Sequence, residues 1–164
     1  VCYGREVLTH EQLRAAACGW AAHLLDQGLT RGDRVGLFAE NSPWFIAAYL
    51  GTIRAGGCAV PFQVDCSDAM LQQIAASTGM KRMLVSTRFE PRVRRLLEAA
   101  GVEVAVESAA SPVSAVCPVA TVDAARDPAA IMFTSGSTGE AKGVMVTHRN
   151  IACNTQDIIE YMGL

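Results

Sequence analysis

Up to about residue 106, short apolar runs alternate with stretches whose apolar residues recur every three or four positions, the mark of strands interleaved with helices. Val1 to Tyr3 and Glu6 to Leu8 flank Gly4-Arg5 and predict a small hairpin. Leu13, Ala16, Ala17, Trp20 and Leu24 then repeat at helical spacing, with Thr9 and Gln12 placed as a capping box and Gly28 as the stop. Trp20 lies on the apolar stripe and belongs to the expected core. A strand follows from Arg34 to Ala39. Asn41-Ser42-Pro43 supplies an N-cap followed by proline, opening a helix that runs to Arg54. Its residues Phe45, Ile46, Tyr49, Leu50 and Ile53 cover more than one stripe, which predicts burial of most of this helix against a sheet and a further layer.

The alternation continues with a strand at Cys58 to Phe62 and a helix capped by Ser67 that ends at Gly79. A strand from Arg82 to Ser86, a helix from Pro91 to Ala100 and a strand from Val102 to Val106 complete it. Parallel strands joined by helical crossovers are the economical arrangement of such a chain. Glu107 to Pro118, rich in Ser, Ala and Pro, has no period and reads as a surface connector. Strands then resume at Ala129 to Phe133 and Val144 to Thr147, close enough to form a hairpin, and Thr147 or Asn150 opens a last helix. The expected architecture is α/β, a mostly parallel sheet with helices on both faces followed by a strand, a loop and a strand. Residues 1–106 form its α/β portion, 107–128 the connector, and 129–164 the hairpin and final helix.

Composition narrows the class. The 164 residues are 51% hydrophobic and 18% charged, enough for one domain with its own core. A net charge of -2, from scattered acids and bases, leaves no electrostatic footprint for nucleic acid or an anionic membrane. Arg88, Arg92, Arg94 and Arg95 cluster, but Glu90 and Glu98 interleave with them, so they read as a solvated face. The uncharged run from Trp44 to Ile53 is too short to span a bilayer and is stopped by Arg54, so no transmembrane segment is expected. The six cysteines contain no C-x-x-C pair, and reduced structural thiols in a cytoplasmic protein are the expectation. A first residue Val1 inside a strand pattern, without an initiator methionine, suggests a piece of a longer protein.

Between the last two strands lies Thr134-Ser135-Gly136-Ser137-Thr138-Gly139-Glu140-Ala141-Lys142-Gly143. Glycines let backbone amides approach an anion, while hydroxyls and an ammonium add donors and positive charge, so the loop is suited to phosphate. It is not a Walker loop, because Ala141 precedes Lys142 and Gly143 follows it. Nor does Ser135 or Ser137 sit in the G-x-S-x-G elbow of a hydrolase. His148 is expected to make structural hydrogen bonds at a strand-to-helix junction, with orientation of a nucleotide or substrate as the other reading. His10 and His23 look like ordinary helix residues.

The stretch from Asp127 to Asn150, with this loop at its centre, resembles the signature of the adenylate-forming superfamily, which includes acyl-CoA synthetases, acyl-AMP ligases and peptide-synthetase adenylation domains. Gly32-Asp33-Arg34-Val35, Asn41-Ser42-Pro43 and Arg54-Ala55-Gly56-Gly57 extend the resemblance upstream, in the family's order. It implies an amino-terminal fragment of an acid–thiol ligase. In such an enzyme a carboxylic acid attacks the α-phosphate of ATP to give an acyl-adenylate and pyrophosphate. The thiol of CoA, or the phosphopantetheine of an acyl carrier protein, then takes the acyl group.

By the same resemblance Ser135, Gly136, Ser137, Thr138, Gly139, Lys142 and Gly143 are nucleotide-binding positions. Thr134 is assigned to the phosphates or to Mg2+, and Lys142 supports the chemistry. Charge builds on the departing pyrophosphate, where fixed donors lower the barrier. The family usually has proline before the lysine; Ala141 removes that preset φ and predicts a looser loop that still binds. The family's adenine, ribose and acyl-binding segments and its carboxy-terminal catalytic lysine have no counterpart in this sequence. The fragment is therefore expected to be inactive alone and to self-associate through uncovered apolar surface. A non-catalytic nucleotide-binding module is the alternative.

Overall fold

A computed structural model describes residues 2–3, 6–109, 118–135 and 141–163. Strands β1 (Cys2–Tyr3) and β2 (Glu6–Val7) pair antiparallel, as the sequence predicts, while the turn at Gly4-Arg5 lies outside the described residues. Helix α1 (His10–Asp26) opens with the expected capping box. The Thr9 hydroxyl accepts the Gln12 N–H at 3.1 Å, and Gln12 Oε1 accepts the Thr9 N–H at 2.8 Å. Both groups would otherwise be orphan donors of the first turn.

The main sheet has six strands in the order β6-β5-β3-β4-β7-β8. These are β3 (Arg34–Phe38), β4 (Cys58–Pro61), β5 (Arg82–Val85), β6 (Glu103–Val106), β7 (Pro128–Ser135) and β8 (Ala141–Thr147). All neighbours run parallel except the β7–β8 pair. Helices α2 (Pro43–Arg54), α3 (Asp68–Thr78) and α4 (Glu90–Leu97) connect the parallel strands, and α5 (His148–Met162) follows β8.

Side chains alternate across the strands and divide the interior into two cores. Val35 and Leu37 of β3 pack with Trp20 and Leu24 of α1 and with Ala47 and Ala48 of α2. Phe38, Val60, Met83 and Val85 face the other way, onto Leu71 and Ile74 of α3 and Val93 and Leu97 of α4. Helices thus cover both faces, and near-continuous apolar strands such as Arg34–Phe38 follow from burial on both sides.

Three expectations are corrected. The fully buried residues of α2 include Ala47, Ala48, Gly51 and Thr52; Phe45, Ile46, Tyr49 and Ile53 are partly buried and Leu50 is exposed. Contact with α1 is so close that a Cβ on Gly51 would stand 2.6 Å from Trp20 Cβ and 2.7 Å from the Ala17 carbonyl oxygen. Only the small side chains fit that seam, and the bulky ones are displaced to its margins. The predicted helix over residues 91–100 is narrower: α4 is flanked by 3₁₀ turns at Thr87–Phe89 and Glu98–Ala100, with Gly101 (φ +75°) ending it. Finally, Cys18 is disulfide-bonded, while Cys58, Cys66 and Cys153 are free. Spacing along a sequence carries no information on pairs that only the fold brings together.

Candidate functional site

The two strands that bracket the glycine loop are held in register by seven cross-strand pairs, ending in Phe133 with Gly143, Thr134 with Lys142 and Ser135 with Ala141. Alternation places Thr134 and Lys142 side by side on one face of the hairpin, and both are exposed. Gly136, Ser137, Thr138 and Gly139, between them in sequence, lie outside the described residues, as does any looseness of their loop. Ala141 is the first ladder residue of β8 rather than part of a free turn, and it packs against the core under α3 and α4.

Gly143 has a steric role that its sequence context did not reveal. A Cβ there would stand 3.0 Å from Ile131 Cγ2 and 3.1 Å from Phe133 Cζ. The ring of Phe133 lies across this glycine and leans on the α3 and α4 core. Beside it a cavity of about 60 Å³ opens between Phe62, Cys66, Met70, Phe133, Thr134 and Ala141. Burial pushes the Cys66 thiol up, so this cysteine is a protonated neighbour of Thr134 rather than an activated nucleophile.

The opposite end of the hairpin is fixed by Asp127, a residue read in the sequence only as part of a motif. Its carboxylate takes two hydrogen bonds from Arg31, at 2.7 and 2.9 Å, and one from the Asp123 N–H at 2.8 Å. Its carbonyl accepts the His148 N–H at 3.3 Å, and the Ala124 carbonyl accepts the Arg149 N–H at 2.7 Å. The Arg31 hydrogen bonds, against some burial, hold the Asp127 carboxyl below the usual carboxylate range; His148 also contributes. Thr147 and Asn150 then form a capping box that starts α5. One aspartate therefore ties the start of β7 to the turn before β3 and to the helix after β8. No local signal could have found Arg31, 96 positions away.

The upstream motif blocks are structural too. Asp33 accepts the Thr30 N–H and hydroxyl, Arg34 donates to the Thr78 and Gly79 carbonyls, and Ser42 caps α2. Gly56 adopts φ +82°, and a Cβ on Gly57 would stand 3.1 Å from Thr52 Cγ2, a tight contact. The arginine cluster is spent on carboxylates: Arg88 on Glu40, Arg92 and Arg95 on Asp68, and Arg94 on Glu90 and Glu98. Arg88 and Arg95 lie on a solvated face as expected, whereas Arg92 is part-buried, donates to the Val64 and Cys66 carbonyls and lies over the Phe38 ring. Among the described residues no three His, Cys, Asp or Glu side chains converge to hold a metal ion, and no helix is long and apolar enough to cross a membrane.

The fold is α/β, a mostly parallel sheet that ends in an antiparallel hairpin with Thr134 and Lys142 paired where the glycine-rich segment leaves and rejoins it. The AMP-binding enzyme family matches over residues 1–163, and the chain belongs to that family of adenylate-forming ligases. Its relatives include nonribosomal peptide synthetase 32 of Fusarium pseudograminearum, 36% identical over 88% of this chain and 2% of that protein. Syringomycin synthase SyrB1 of Pseudomonas syringae pv. syringae is 31% identical over 88% of this chain and 23% of its own length. Among solved structures, ATP-bound MatB from Rhodopseudomonas palustris superposes with a TM-score of 0.84 at 28% identity, covering 95% of this chain and 33% of MatB. A fatty acyl-adenylate ligase from L. pneumophila, solved with acyl adenylate and pyrophosphate, gives 0.77 at 28% identity, covering 97% of this chain and 29% of that one. The chain thus spans a third or less of each of these proteins.

Proposed function

We propose that this chain is the phosphate-holding portion of an ATP-dependent ligase that activates a carboxylic acid as its adenylate. The reading rests on one observation above all: the β7–β8 register sets Thr134 and Lys142 together where the glycine loop begins and ends. A hydroxyl and an ammonium on one face, at the two ends of a segment rich in glycine and hydroxyl residues, are a donor set suited to the β and γ phosphates of ATP. In this assignment Thr134, Ser135, Gly136, Ser137, Thr138, Gly139, Lys142 and Gly143 make up the binding segment. Lys142 bears the charge that offsets the negative charge building on pyrophosphate. Gly143 serves it indirectly, by giving Phe133 the room that fixes the strand pair.

Mg2+ fits only as an ion brought with ATP. The Thr134 hydroxyl is a single oxygen ligand, and Mg2+ commonly keeps several waters and binds through few protein groups plus substrate phosphates. When bound, it would neutralise phosphate charge. The second half-reaction would pass the acyl group to a thiol. The peptide-synthetase relatives favour the phosphopantetheine of a carrier protein over CoA. Because these relatives are peptide synthetases, fatty acid metabolism is the less supported setting. Completing the chemistry would need the part of the domain that these relatives possess beyond the matched region, so residues 1–164 alone should not form acyl-adenylate.

The test is pyrophosphate exchange into ATP by the longer protein containing this chain, against a panel of amino, aryl and fatty acids. Exchange that depends on one class of acid supports the reading and names the substrate class. No exchange with any acid, while ATP still binds, would favour a non-catalytic nucleotide-binding module.

A further inference from the structure

An apolar concavity lies not at the glycine loop but at the other end of β7 and β8, roughly 20 Å away at about 3.3 Å per residue. It measures about 430 Å³, within the range of small-molecule sites. Helix α1 contributes Leu13 and Ala17, α2 contributes Leu50 and Ile53, and the segment before β7 contributes Val119 and Val122. Leu50 and Val119 are 41% and 68% exposed, so apolar wall is open to solvent here.

The polar residues around it all carry basic side chains. His10 and Arg14 come from α1, Arg54 from the end of α2 and His148 from the start of α5, and among the described residues no acidic side chain lines the cavity. Asp127, just before β7, is engaged by Arg31. Among the described residues Arg14 and Arg54 have no ion pair. Arg54 Nε is buried without a hydrogen-bond acceptor among the described residues, so Arg54 is not committed to a carboxylate elsewhere.

We propose that this cavity binds a carboxylate-headed amphiphile, with Arg54 and Arg14 taking the head group and the walls of α1 and α2 taking the apolar body. A guanidinium fork matches a carboxylate edge, and the two arginines stand on neighbouring helices at the cavity wall. The site is independent of the phosphate loop and of the reaction proposed above.

Isothermal titration of the chain with decanoate and decanol, both below their aggregation limits, tests it. Decanoate should bind with submillimolar affinity and at least tenfold more tightly than decanol. Arg54→Gln should weaken decanoate at least tenfold. Val119→Asp, at an exposed position that leaves the core intact, should do the same by placing a negative charge at the rim. Lys142→Ala should leave decanoate binding unchanged. Absence of decanoate binding, equal affinity for decanol, indifference to both cavity variants, or loss of binding in Lys142→Ala would overturn the proposal.

Discussion

Asp127 shows how much one side chain can carry. Its carboxylate is held charged by Arg31, so its folded-state pKa lies below the unfolded value of about 3.9. Stability from this pair is complete above pH 4 or so and is lost as pH falls through the depressed folded value. Asp127→Asn should therefore be less stable than the parent chain at pH 7 and lose less on acidification from pH 5 to 2, read by urea midpoints across that range. Parallel losses in both proteins would contradict the assignment. Cys58 is the reverse case: complete burial raises its thiol to about 11, which keeps it neutral inside the sheet. Neither property is visible in a local sequence window. The caps are different, because Thr9 with Gln12, Ser42 and Ser67 act within three residues of themselves and are legible directly.

At the scale of elements, helix and strand identity follows from periodicity, whereas closeness of packing does not. Gly51 lies inside α2, where intrinsic propensity favours alanine over glycine by about 1 kcal/mol. The seam with α1 opposes this, since the added Cβ would meet backbone of Ala17 and Ala21 as well as Trp20. Overpacking of this kind costs about 1–3 kcal/mol and should win. Gly51→Ala is expected to lower the urea midpoint, and a stabilised variant would show that the seam is looser than described. The hairpin follows the same logic: the sequence suggests two short strands, but Gly143 under the Phe133 ring sets how they meet. The order β6-β5-β3-β4-β7-β8 was not legible either, because β3 becomes central only when the chain crosses it after β4.

For the whole molecule, the two cores under α1–α2 and α3–α4 are closed, but the carboxy-terminal third is not. Met132, Val144, Met145, Ile158, Ile159, Tyr161 and Met162 are exposed, and α5 has no buried residue. Exposed apolar side chains of this number favour association, so light scattering of the chain at high concentration should report dimers or larger species. A monodisperse monomer would count against it. The sequence led to an expectation of uncovered apolar surface, which is present, and of two strands on either side of the glycine-rich segment. It did not foretell the basic-rimmed cavity, which four separated segments build. The central claim is that the loop between β7 and β8 handles the phosphates of ATP, with Lys142 beside Thr134 at its mouth. Carboxylate-dependent pyrophosphate exchange in the longer protein tests it most directly. Lys142→Ala should slow exchange at least tenfold while the fold is retained, and an unchanged rate would contradict the account.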